Sequence, residues 1–160
     1  MRDNSNCGAD YTLENPIVRQ AYAGFLSYAP LYQASCLKDG GGNYCFANAI
    51  TNTSSPTDSY VYYLPLGVNL PGGSRPTCST CLQQTMGVFA ETAGNLSQPI
   101  STDYVQAAMQ IDSGCGPTFV NQSVTPIQGS EPSKSAAVAA TVVHLPFLVA
   151  AFIGLMLLLG

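Results

Sequence analysis

CSTCLQQTMGVFAETA, residues 78–93, decides how the rest of the chain is read. Thr80 and Gln83 stand at capping-box spacing, where a hydroxyl and an amide satisfy the free N–H groups of a first helical turn. Cys78, Cys81, Leu82, Thr85, Met86, Phe89 and Ala93 then recur at helical spacing on one face, and Gly94-Asn95 stops the run. The pattern predicts an amphipathic helix whose buried face begins with two cysteines, and so a fold of helices tied together by sulfur.

Working outward, two more helices carry the same signals. Downstream, Ser101 or Thr102 caps a helix with Tyr104, Ala108, Ile111 and Cys115 on one face, closed by Gly114-Cys115-Gly116-Pro117. Upstream, Asn15-Pro16 pairs an N-cap with the proline favoured at the first helical position. Ile17, Ala21, Phe25, Ala29, Tyr32 and Cys36 follow as one apolar stripe, and Pro30 predicts a kink or two abutting helices over 16–29 and 30–37. Lys38-Asp39-Gly40-Gly41-Gly42 then reverses the chain, and 44–49 predicts a short helical turn carrying Cys45. Residues 1–14 are irregular apart from Cys7. The stretch 51–76 is loop-like at both ends; at its centre Tyr60-Val61-Tyr62-Tyr63-Leu64-Pro65-Leu66 is rich in β-formers, although Pro65 bars a central strand position. Its tyrosines suit either a sugar-stacking platform or the packing of core and loop, and packing is the reading taken.

The cysteines lie at 7, 36, 45, 78, 81 and 115. An even number in a small domain reads as a disulfide framework whose pairing stays open. Cys78-Ser79-Thr80-Cys81 taken alone is a CxxC pair, but a redox pair needs a βαβ setting that is absent here. Zinc needs further ligands, and the only histidine is His144, near the end of the chain. Structural disulfides are expected, with Cys36, Cys81 and Cys115 on buried faces as helix staples.

Residues 136–160 contain no Asp, Glu, Lys or Arg, and 20 of the 25 are apolar. A bilayer core requires roughly 20 apolar residues in a helix, so the stretch is long enough to span. A retained span usually continues into a Lys/Arg cluster, and none follows Gly160. The arrangement fits a glycosylphosphatidylinositol (GPI) attachment signal better: small residues at the cleavage site, a spacer, then a hydrophobic tail. Ser135-Ala136-Ala137 is the first choice of attachment site, with Ser133 and Ser130 as alternatives. A retained membrane helix and a buried core helix are the competing readings. GPI attachment requires secretion, yet residues 1–7 hold no apolar leader, so this reading makes the chain a fragment or a mis-started one. Three sequons, at Asn52, Asn95 and Asn121, fall in turn-rich stretches and support secretion.

The expected fold class is therefore mostly α: a small disulfide-stapled helical domain with long irregular loops over 1–118. A Ser/Thr/Pro-rich stalk over 119–135 and a C-terminal hydrophobic helix over 136–160, the GPI signal, complete the chain. Five basic against nine acidic residues, with no basic patch, argue against nucleic acid as a partner. The expected partners are a membrane, through the lipid anchor, and wall glycans. The carboxylates Asp10, Glu14, Asp39, Asp58, Glu91, Asp103, Asp112 and Glu131 are scattered, and with His144 in the tail the body cannot build a Ser-His-Asp set. No enzyme activity and no cofactor are expected. An apolar cavity between helices would point to a carrier of small ligands. A solid core with exposed tyrosines would point to surface contact, and a cleft with facing carboxylates to wall-remodelling chemistry.

Several stretches carry a family likeness: Asn6-Cys7-Gly8-Ala9-Asp10, Gly24-Phe25-Leu26 on to Cys36, Ser55-Pro56-Thr57-Asp58-Ser59-Tyr60, Tyr63-Leu64-Pro65-Leu66-Gly67 and Leu70-Pro71-Gly72-Gly73-Ser74-Arg75-Pro76-Thr77-Cys78. Over roughly residues 6–121 the chain resembles the cysteine-rich, secreted, often GPI-anchored proteins of filamentous ascomycete fungi that carry a domain of unknown function. The resemblance implies a cell-surface or cell-wall protein with a structural or adhesive role. It also implies a leader and further cysteines ahead of the point matching Cys7, so that the six cysteines of this chain need not all pair with one another. It implies no activity.

Overall fold

Gly8–Thr12 (α1), Pro16–Ser35 (α2), Cys45–Thr51 (α3), Thr80–Ala93 (α4) and Tyr104–Cys115 (α5) are the α-helices of the computed structural model, which describes residues 6–124. The 3-10 segments Pro56–Leu66 and Pro99–Thr102 lie between α3 and α4 and between α4 and α5. Among the described residues there is no strand, only an isolated antiparallel bridge between Lys38 and Tyr44. No described helix is long and apolar enough to cross a membrane. The hydrophobic stretch 136–160, the candidate attachment residues Ser130, Ser133 and Ser135, and the stalk from 125 onward fall outside the described residues.

The centre of the fold is α4, whose Leu82, Thr85, Met86, Phe89 and Ala93 are buried as its periodicity predicts, while Cys81 is half-buried and Cys78, expected on the same face, lies ahead of the helix and is exposed. Tyr104, Ala107, Ala108 and Ile111 of α5 pack in the same cluster, with Val61, Tyr62 and Leu64 from the first 3-10 segment and Ile100 from the second. Full burial of each large apolar side chain contributes on the order of 2 kcal/mol. Gly67 ends the first 3-10 segment at φ 75°, and a Cβ there would lie 3.2 Å from the Pro99 ring, so both the turn and the close approach require glycine.

Local chemistry moved several boundaries. The N-cap of α4 is Ser79, whose hydroxyl accepts from the Leu82 N–H at 3.2 Å, and not Thr80. Gln83, freed from a capping box, reaches across to the Phe119 carbonyl at 2.8 Å. Ser101 and Thr102 belong to the 3-10 turn before α5, whose N-cap Asp103 makes no side-chain cap bond. Asn15 does cap α2, accepting from the Ile17 N–H at 3.1 Å with Pro16 behind it. The β-forming stretch around Tyr62 winds as 3-10 turns, started by Pro56 at its first position.

The largest departures are in α2. It runs unbroken through Pro30, in place of two helices meeting there. It also buries the face opposite to the one its periodicity selects: Ser27, Pro30 and Ala34 are buried, while Ile17, Phe25 and Tyr32 are 76%, 70% and 61% exposed. The small buried residues let the 3-10 segment approach closely. The Ser27 hydroxyl donates to the Ala23 carbonyl at 2.7 Å and contacts the Pro65 carbonyl of that segment.

Residues 119–124 continue against the core. Val120 is buried, and its N–H donates to Asp112 Oδ1 at 2.9 Å; Gln122 Nε2 donates to Asp112 Oδ2. The Tyr104 hydroxyl donates to the Asn121 carbonyl at 2.8 Å and lies 3.2 Å from that of Met86. Burial, and secondarily the nearby Asp112 carboxylate, push the Tyr104 phenol from 10.0 up to about 12. Because the folded state holds the proton more tightly, the stabilisation is complete below pH 10 and lost as the pH rises towards 12. Alkaline unfolding followed by circular dichroism is expected to show a steep loss of stability in that window, and Tyr104→Phe should remove this component of it.

Candidate functional site

Two disulfides converge on the start of α4. Cys45 at the N-terminus of α3 pairs with Cys81 in the first turn of α4, and Cys78 just ahead of α4 pairs with Cys115 at the end of α5. The CxxC pair is thus divided between two partners, as structural bridges require and a redox dithiol does not. Cys7 and Cys36 carry free thiols, and Cys36 is exposed at the end of α2 and not on a buried face.

Beside the Cys45–Cys81 bridge a cleft of about 430 Å³ opens between α3, the first 3-10 segment and α4. Val61, Tyr62, Leu82 and Thr85 line its apolar floor, and Asp39, Asn48, Asn52, Asp58 and Thr77 its polar wall. Tyr62 is a core residue, edge-on to Phe46 at 4.9 Å and to Phe89 at 6.4 Å, with its hydroxyl 3.3 Å from Thr85 Oγ1. Burial raises its phenol above 10.0. Tyr60 and Tyr63 are 37% and 51% exposed, and the three rings do not form one stacking platform.

The wall is built from turns the sequence marks only by composition. Asp39 Oδ1 accepts from the N–H groups of Gly41 and Asn43, and Oδ2 from Asn48 at 2.8 Å; Gly42 closes the turn at φ 84°. The Asn43 N–H and then the Asn48 amide hold the Asp39 carboxyl below its ordinary 3.8, so this turn is stabilised above that pH and loosens as acid protonates it. Asp58 accepts from the Thr77 N–H at 2.6 Å, the Ser55 hydroxyl at 2.7 Å and the Asn52 amide at 2.7 Å. Both carboxylates are therefore occupied in holding the loops 38–44 and 52–77 in place. A general acid needs a raised pKa, and Asp39 is shifted the other way. Neither aspartate stood out in the sequence from the other scattered carboxylates. Asp39-Gly40-Gly41-Gly42, as a chain reversal, and the loop-like start of 51–76 are the signals the sequence offers. Among the described residues no three His, Cys, Asp or Glu side chains converge as a metal site would require.

The three sequon asparagines each accept an N–H from two residues on: Ser54 to Asn52, Ser97 to Asn95 and Ser123 to Asn121, at 3.1, 3.0 and 2.9 Å. They differ in their amide nitrogens, the atoms that carry a glycan. Asn52 Nδ2 is committed to Asp58, while Asn121 is exposed.

Helices clasped at one point by two disulfides, beside a cleft whose polar wall is hydrogen-bonded within itself, define a small disulfide-stapled helical domain. The chain belongs to the DUF7729 family, a domain of unknown function, whose model matches residues 1–124. No curated protein and no solved structure matches it.

The bridges close sequence separations of 36 and 37 residues, so each should stabilise by a similar amount, about 2–4 kcal/mol. Urea unfolding of Cys45→Ser/Cys81→Ser and of Cys78→Ser/Cys115→Ser is expected to show comparable losses, with near-complete unfolding when both bridges are removed.

Proposed function

We propose that this chain is a non-catalytic, GPI-anchored domain of the fungal cell surface or cell wall, with a structural or adhesive role. The observation that carries the reading is the pair of intrachain disulfides, which belong to an oxidising compartment. The charge-free apolar stretch 136–160 and the small residues around Ser135 support a lipid anchor over a permanent span. The likeness to anchored ascomycete proteins agrees with both. The internal occupation of Asp39 and Asp58 favours a structural role for the cleft wall over acid–base chemistry.

The cleft of about 430 Å³ supports a second reading, a module that takes a small apolar ligand or a glycan. Its floor is largely apolar and its wall carries amides, hydroxyls and two carboxylates, which suits a ligand with one apolar and one polar face.

The anchor is tested by treating fungal membranes that express the full-length gene with phosphatidylinositol-specific phospholipase C. Release of the protein into the soluble fraction is expected; retention in the membrane overturns the reading. Peptide mapping of the same material is expected to find glycans at Asn95 and Asn121, with Asn52 occupied least because its amide nitrogen is held by Asp58. Full occupancy at Asn52 would contradict that ordering.

A further inference from the structure

A groove of about 300 Å³ lies between α2, through Ala29, Pro30 and Gln33, and the end of α4, through Glu91. Asn95 and Gln98 line it from the segment that follows α4. Small-ligand sites run from roughly 300 to 1,000 Å³, so this one suits a single sugar ring and not a chain of them. Ala29, Gln33 and Glu91 are exposed, and Pro30 is buried.

Gln98 stands out within the groove. Its Oε1 is buried without a hydrogen-bond partner, whereas every other buried side-chain oxygen or nitrogen among the described residues is paired. Its Nε2 makes no bond either. An unpaired buried acceptor costs stability, so a bare groove leaves this amide incomplete. Asn95, beside it, belongs to the sequon Asn95-Leu96-Ser97. Asn95 Oδ1 accepts from the Ser97 N–H at 3.0 Å and from the Ser97 hydroxyl at 2.8 Å, which holds the side chain by its oxygen. Nδ2, the atom that carries a glycan, has no partner within the chain, unlike that of Asn52.

We propose that the first N-acetylglucosamine on Asn95 lies in this groove, its acetamide paired with the Gln98 side chain. The inference rests on the reading of the chain as a secreted, anchored protein. Attachment forms a bond from Asn95 Nδ2 to the anomeric carbon and breaks that carbon's bond to a lipid pyrophosphate donor. The pyrophosphate leaves as an anion, and the Nδ2 proton passes to solvent. The tether selects the occupant: a sugar fixed to one wall is held at about millimolar effective concentration or above, so modest contacts suffice. An acetamide offers one N–H donor and one C=O acceptor, and the Gln98 amide offers the complement, so the two can exchange a pair of hydrogen bonds. Rotating the Gln98 amide about its last bond brings Oε1 round to the groove and breaks nothing, since neither end is bonded. Gln33 and Glu91 supply acceptors for the ring hydroxyls, and Ala29 and Pro30 an apolar surface for the acetamide methyl.

The test uses protein purified in detergent from fungal cells expressing the full-length gene. Endoglycosidase H trims each occupied asparagine to one N-acetylglucosamine. Thermal unfolding followed by circular dichroism compares the unmodified chain, Gln98→Leu, Ser97→Ala and the two changes combined. Ser97→Ala removes the sequon while keeping Asn95, and the difference of differences isolates the contact between sugar and Gln98. With the sugar present, Gln98→Leu is expected to lower the midpoint by about 3–5 °C. Without the sugar, the same change should leave the midpoint unchanged or raise it, because it removes an unpaired buried amide. Nuclear Overhauser effects are expected from the acetamide methyl to protons of Ala29 or Pro30. An equal effect of Gln98→Leu with and without the sugar overturns the proposal. So does the absence of those Overhauser effects, or a bare Asn95 in protein that carries sugar at Asn121. Sugar at none of the three sequons overturns the secreted reading as well.

Discussion

The clasp at the start of α4 is the constraint on which the remaining structure depends. Cys78 and Cys81 stand three residues apart, yet they hold α5 and α3 respectively, so three helices converge on a single turn. Residues 67–79, between the first 3-10 segment and α4, hold no regular secondary structure, and such a stretch has little of its own to offset the entropy of ordering. The bridges reduce that entropy in the unfolded chain. The Asp39 and Asp58 carboxylates then fix the loops locally by accepting backbone N–H groups within them.

The cleft is a consequence of this arrangement. With α3 held to α4 by a disulfide and the 3-10 segment packed against both, a cleft is left between them. Its floor is continuous with the core through Val61, Tyr62 and Leu82, and its wall is made from groups that already bond to one another.

In α2, small residues on one face allow close packing of backbone on backbone, while the large apolar residues on the other face point away from the domain. Burying Phe25, Tyr28 and Tyr32 against the 3-10 segment would have required the helices to stand further apart and would have broken the Ser27 contacts that join them.

Periodicity, capping residues and cysteine number determined much of this protein without coordinates. The helical class, the buried faces of α4 and α5, the Asn15-Pro16 helix start and the structural role of the CxxC cysteines could all be read from spacing, because each depends on residues close in the chain. Other features depended on partners far away in sequence. Which face of α2 turns inward was decided by the fit of Ser27, Pro30 and Ala34 against their neighbours, since periodicity locates an apolar stripe but not what covers it. The disulfide partners, and the selection of Asp39 and Asp58 from scattered carboxylates, likewise came from elements that meet only when the chain is folded.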